Sequence, residues 1–143
     1  GYILRDYFKN LNELPTLNSV DNIFIMACDI HSKLKEKYYL NPNEDEDDSY
    51  ESSRMEYLIA NQHGIFGVDS YRYVEEYTKY SAYGSGYMFA LGAMNVAYEL
   101  NYTAEEIARF GLEASAEYDD GTDKPFHIYK IENNNCMDNS NFS

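Results

Sequence analysis

Residues 80–94 read YSAYGSGYMFALGAM. The run from Lys79 to Tyr83 is expected to be a short strand, and it passes directly into Gly84-Ser85-Gly86. After the triplet the pattern changes to a helix predicted over Tyr87–Leu100, where Ala90, Leu91, Ala93, Met94 and Ala97 are available for close packing. A helix start offers free backbone N–H groups, and flanking glycines let another chain approach. The triplet therefore suits a hydroxyl at a site edge or a phosphate cradle. It equally suits a plain strand-to-helix turn with Ser85 as cap, and without a full glycine-rich fingerprint the plain turn carries more weight.

Downstream, Thr103-Ala104-Glu105-Glu106 is a capping box opening a helix to about Tyr118, with Ile107, Phe110, Gly111, Ala114 and Tyr118 marking its inner side. Asp119 to Lys124 is a turn and Pro125 to Ile131 a last strand. Upstream, Met55–Asn61 and Ile65–Asp69 flank Gln62-His63-Gly64, the pattern of a β-hairpin, and Tyr71–Glu76 is a further extended segment. Leu4, Tyr7, Phe8 and Leu11 place an amphipathic helix over Tyr2–Leu11, and with Gly1 offering no cap the start looks cut. A second helix, capped by Ser19 or Asp21, runs to about Tyr39, with Val20, Phe24, Ala27, His31 and Leu34 in one stripe and Ile23 and Ile30 widening it. Helices in hairpins, with locally paired strands between them, suggest an α+β domain with helices on both faces of largely antiparallel sheets. The domain is expected over residues 1–131, followed by a polar, Asn-rich and flexible tail over 132–143.

The chain has 25 acidic against 11 basic residues, a net charge of −14. Such a field repels phosphate backbones and anionic lipid, so neither nucleic acid nor membrane is an expected partner. Part of the charge lies in Glu44-Asp45-Glu46-Asp47-Asp48, expected to be a solvated loop. Cys28, on a predicted helix, and Cys136, in the tail, give no disulfide framework and suit a reducing cytoplasm. Sixteen tyrosines with no tryptophan reflect either compositional bias or a Tyr-rich contact surface.

Asp119-Asp120-Gly121-Thr122-Asp123 gathers three carboxylates. They could orient an amine, transfer a proton or help hold a cation; otherwise they form an acidic helix-terminating turn with Gly121 at positive φ. Neither this run nor Asn43–Asp48 has calcium-loop spacing, and His31, His63 and His127 lack metal-ligand spacing. His31, on an apolar stripe, reads as a satisfied core histidine, and Cys28 as a buried structural thiol.

From Met55 to Ile131 the chain resembles the later part of HslV-like and proteasome β subunits, notably the short bacterial and phage-type members. The resemblance runs through "MEYLIANQHGIFGVDSYRYVEEY", "YSAYGSGYMFALGAM", "TAEEIARFGLEASAEY" and "DDGTDKPFHIYKI". The upstream helices match by position. The resemblance implies an αββα sandwich of the N-terminal-nucleophile hydrolase type, with its N-terminal strands missing here, assembled from copies of itself into rings. It implies threonine-type hydrolysis of peptide or unfolded-protein substrates through an acyl-enzyme, without metal or other cofactor. Any ATP would be spent by a separate unfoldase, since the chain has no P-loop. The nucleophile maps to no residue here. Ser85 matches the serine near the nucleophile's amino group, flanked by Gly84 and Gly86; Asp119 or Asp120 matches the orienting aspartate; Thr122 matches the hydroxyl residue that follows. The rival readings are a non-catalytic, for example phage-encoded, structural subunit of the same fold, and an acidic module that binds through its tyrosines.

Overall fold

The computed structural model describes residues 2–43 and 49–132. The acidic run Glu44–Asp48, Cys136 and all of the expected flexible tail except Glu132 lie outside the described residues. The described residues form four α-helices and one three-stranded antiparallel sheet, divided between two compact units, Gly1–Glu76 and Tyr77–Ser143.

The first unit holds α1 (Tyr2–Lys9), α2 (Val20–Tyr38), β1 (Tyr57–Asn61), β2 (Gly64–Val68) and most of β3 (Val74–Tyr77). Ser19, rather than Asp21, caps α2: its Oγ accepts the Asn22 N–H at 3.3 Å. Tyr39 ends the helix in the left-handed region at φ 51°. The buried stripe of α2 is Ile23, Met26, Ala27, Ile30, His31 and Leu34, while Val20 and Phe24 are exposed. The helix is thus rotated from the expected setting towards its Ile23–Ile30 edge. That edge offers Ile, Met, Ile and Leu in unbroken i, i+3/i+4 succession, so it buries more apolar area. It packs with Tyr7, Phe66, Val68 and Val74 in one core.

His31 is buried and fully engaged. Its Nδ1 lies 2.9 Å from Ser53 Oγ and 3.3 Å from Arg72 Nη1, and its Nε2 lies 3.0 Å from Glu51 Oε2. A guanidinium can only donate, so Nδ1 is an acceptor here and the Nε2 hydrogen points to Glu51. Lys35 also reaches Glu51, at 2.6 Å, and the two partners hold the Glu51 carboxyl below its usual range, Lys35 contributing most. Cys28 is half-buried.

The hairpin pairs Tyr57 with Val68 through Asn61 with Gly64. Asn61 finishes the turn by accepting the His63 N–H on Oδ1, at 2.7 Å, and donating from Nδ2 to the Leu17 carbonyl, at 2.6 Å. β3 starts at Val74 rather than Tyr71, because Asp69 Oδ1 accepts the N–H groups of both Tyr71 (2.8 Å) and Tyr73 (2.9 Å). Such an Asx-type turn takes the donors a strand would use.

The second unit is built on a hairpin of α3 (Tyr87–Glu99) and α4 (Ala104–Tyr118). Thr103 and Glu106 form the expected capping box. Small residues let the helices approach: Ala90, Ala97 and Gly111 are buried alongside Ile107, and a Cβ on Gly111 would stand 2.9 Å from Met94 Cγ. The inner face of α4 is Ile107, Gly111 and Ser115; Ala114 is half-buried, while Phe110 and Tyr118 are exposed. So close a contact has no room for an aromatic ring, and these two rings pack on Tyr102 and Phe89 instead, with centroids 5.1 and 5.6 Å apart.

Lys79–Tyr83 and Pro125–Ile131 are not strands. A strand is defined by its ladder, and neither segment has a partner strand among the described residues. The described sheet is therefore the single β1–β2–β3 array. No helix of the described residues is long and apolar enough to cross a membrane.

Candidate functional site

The end of α4 and the start of α3 bring Ser85, Asp119 and Thr122 together within the second unit. Gly86, not Ser85, occupies the N-cap position of α3, and no side chain caps it. Ser85 Oγ is thereby left for another partner, and it donates to Asp119 Oδ2 at 2.8 Å. Thr122 Oγ1 donates to the same oxygen at 2.7 Å. The turn is drawn tight by Asp119 N–H to the Ser115 carbonyl, 2.8 Å, and Thr122 N–H to the Asp119 carbonyl, 3.1 Å.

Two hydroxyls converge on one carboxylate oxygen. The Thr122 hydroxyl, then Ser85 and the Gly121 backbone hold the Asp119 carboxyl below its ordinary value, because each favours the charged form. The arrangement also separates the two aspartates that the sequence leaves equivalent. Asp119 is half-buried and bonded to both hydroxyls; Asp120 is exposed and outside the cluster. Asp123 is exposed and accepts the neighbouring Lys124 N–H, at 2.7 Å.

Glycine enters for different reasons at two positions. Gly84 has φ +112°, open to glycine and strained for other residues, so the turn before Ser85 requires it. Gly121 was expected at positive φ and is not. A Cβ there would instead lie 2.6 Å from Ser85 Oγ, so it is glycine to let the serine reach its carboxylate. Gly86 is buried, with its carbonyl turned to Ser115.

A cavity of about 270 Å³ opens beside the cluster, lined by Gly84, Gly86 and Thr122 and by Ala90, Met94 and Leu112. An acidic oxygen held at its edge repels phosphate, which disfavours the phosphate-cradle reading of the triplet. Chemically the cluster is an ionised acceptor with two hydroxyls in fixed orientation, suited to orienting a nearby amine or relaying a proton. Among the described residues, no three His, Cys, Asp or Glu side chains gather as a metal site. His31 belongs to the other unit, His63 to the hairpin turn, and His127 is exposed. Ser115, which the sequence reading passed over, is 5% exposed and donates to the Gly86 carbonyl at 2.9 Å. Its signal was available: a serine four residues after Gly111 and eight after Ile107 falls on the buried stripe.

The chain is similar to solved structures of Thiobacillus denitrificans BPH. To BPH itself it is 49% identical with a TM-score of 0.78, the match covering 87% of this chain and 64% of that one. To BPH in complex with epoxomicin it is 48% identical, with the same TM-score and coverage. Its fold is similar to BPH's. The chain spans a little under two thirds of the length of these BPH chains. No family model matches it, and no curated protein matches it.

Proposed function

We propose that this chain is part of a proteasome-like, threonine-type peptidase subunit, to which it contributes the Ser85–Asp119–Thr122 cluster as support for the nucleophile. The observation that carries this reading is 48% identity to a protein solved in complex with epoxomicin, a proteasome inhibitor. The convergence of two hydroxyls on Asp119 Oδ2 supports it, since an N-terminal nucleophile needs its amine held in one orientation to act as base.

The chemistry follows from these parts. A threonine hydroxyl attacks the scissile carbonyl while its own α-amino group takes the proton, giving a tetrahedral intermediate. Collapse expels the amine product and leaves an acyl-enzyme, which water then hydrolyses. Asp119, ionised and pinned by Thr122 and Ser85, favours the amine orientation in which its lone pair faces the hydroxyl. Ser85, exposed at the cluster's edge, is the hydroxyl closest in role to that amine. The nucleophile is assigned to none of the described residues, so the relevant material is the full-length protein. The same reading places the chain in the αββα-sandwich class, as one domain over 1–131, cytoplasmic, ring-forming and served by a separate ATP-driven unfoldase.

The test is reaction of the full-length protein with epoxomicin, read by intact mass, alongside hydrolysis of a fluorogenic peptide. One inhibitor added per chain and steady hydrolysis are expected. Asp119→Asn should lower kcat by about a hundredfold, as loss of an electrostatic group at a reacting centre typically does. A protein that gains no inhibitor mass and cleaves nothing, yet sediments as a ring, would instead be the non-catalytic structural subunit.

A further inference from the structure

Ser115 joins the two segments whose meeting creates the site. Its Oγ donates to the carbonyl of Gly86, the residue after Ser85, at 2.9 Å, and its own carbonyl accepts the Asp119 N–H at 2.8 Å. The contact is tight, for a Cβ on Gly86 would stand 2.9 Å from Ser115 Cβ. Ser115 is also the one polar side chain on the buried face of α4. Alanine, which occurs at 108, 114 and 116 of the same helix, would pack there without a hydroxyl to satisfy. A buried hydroxyl at such a position needs a partner, and among the described residues that partner is the turn that carries Ser85.

We propose that Ser115 is a positioning residue: by clamping Gly86 to the last turn of α4, it sets where Ser85 Oγ stands relative to Asp119. Its geometric effect is independent of the reaction; its effect on catalysis rests on the peptidase reading. Without the clamp, the Gly86 carbonyl retains only its helical bond from the Ala90 N–H, at 3.2 Å, and the turn before it is released. Ser85 then leaves Asp119, whose carboxylate loses one of its two hydroxyl donors and protonates at higher pH.

The experiment uses Ser115→Ala and the near-isosteric donor Ser115→Cys in the full-length protein, each checked for folding by circular dichroism. Crystal structures supply the first readout: the 2.8 Å bond between Ser85 and Asp119 should be broken in Ser115→Ala and kept in Ser115→Cys. Peptide hydrolysis against pH supplies the second. Ser115→Ala should lose between about tenfold and a hundredfold in kcat, the scale of a small misplacement at a reacting centre, with KM unchanged. Its acidic limb should move to higher pH, and Ser115→Cys should recover part of both effects. An intact Ser85–Asp119 bond in Ser115→Ala, or loss of activity without movement of the limb, overturns the proposal. Should Ser115→Ala fail to fold, a Ser115→Cys structure in which Sγ reaches the Gly86 carbonyl and the Ser85–Asp119 bond is kept supports the clamp, and one in which Sγ has lost that carbonyl while the Ser85–Asp119 bond stays intact overturns it. If the wild-type protein neither cleaves peptide nor takes up epoxomicin, the peptidase reading falls, while the distance alone still decides the part played by Ser115.

Discussion

Asp119 and Gly121 show how little separates this cluster from an ordinary helix end. The carboxyl of Asp119 is held low by Thr122 and Ser85, so its contribution to stability is present above the unfolded value of about 3.9 and disappears as pH falls through the lower folded value. Asp119→Asn should therefore be less stable than wild type in urea at neutral pH, and the difference should vanish in strong acid; a constant gap at every pH would place the origin elsewhere. Gly121→Ala acts on the same bond by bulk alone. Its methyl group meets Ser85 Oγ at 2.6 Å, so the serine must turn away. Carboxyl ¹³C titration should then show the Asp119 carboxyl moving up towards the ordinary carboxylate range, and an unmoved titration would mean that the loop yields instead of Ser85. A longer-range pairing governs His31 in the other unit. Ser53→Ala removes a 6%-exposed hydroxyl that serves both His31 and Arg72, and it should cost about 1–3 kcal/mol, the penalty for leaving buried polar groups unpaired, measured by urea unfolding.

Helices α3 and α4 carry opposite lessons about glycine. Gly92 is exposed in mid-α3 and a Cβ there would touch nothing within 4 Å, whereas a Cβ on Gly111 would press on Met94. Gly92→Ala should therefore stabilise the protein by about 0.5–1 kcal/mol, the usual gain in an exposed helix interior, and Gly111→Ala should destabilise it by forcing the helices apart. Equal urea midpoints for the two variants would contradict the hairpin packing. The N-terminus of α4 depends on Thr103, whose Oγ1 accepts the Glu106 N–H at 3.3 Å while Glu106 Oε2 accepts the Thr103 N–H at 2.9 Å. The box was legible as Thr-Ala-Glu-Glu because a capping box is local, needing only residues three apart. The same holds for the β1–β2 turn and for the start of α2, where Ser19 and Asp21 were both candidate caps and Ser19 is the one used. Which face each helix buries was less legible. Val20, Phe24, Phe110 and Tyr118 are apolar and correctly spaced, yet exposed, because the neighbouring element chooses among the possible stripes by the area and closeness it can achieve.

At the scale of the whole chain, charge opposes self-association. Each copy carries −14, so if the chain forms rings, the copies repel at long range until salt screens them. Raising ionic strength from about 0.01 to 0.15 M shortens the screening length from about 30 to 8 Å, and assembly measured by sedimentation velocity should strengthen across that range. Assembly that weakens instead would point to ion pairs between copies. Local pattern was enough to place the four described helices and the β1–β2 hairpin, whereas the joint role of Ser85, Thr122 and the Asp119–Asp120 pair came only from the family resemblance. The helices and the hairpin rest on periodicity, caps and turns, all interactions within a few residues. Tertiary structure decided what depends on distant partners. It selected Asp119 over Asp120, took Ser85 out of the capping role and placed Ser115 beneath Gly86. It also left Lys79–Tyr83 and Pro125–Ile131 without a ladder. Ser85 and Asp119 are 34 residues apart, and only the packing of α3 on α4 through Ala90, Gly111 and Ser115 brings a hydroxyl and a carboxylate to 2.8 Å.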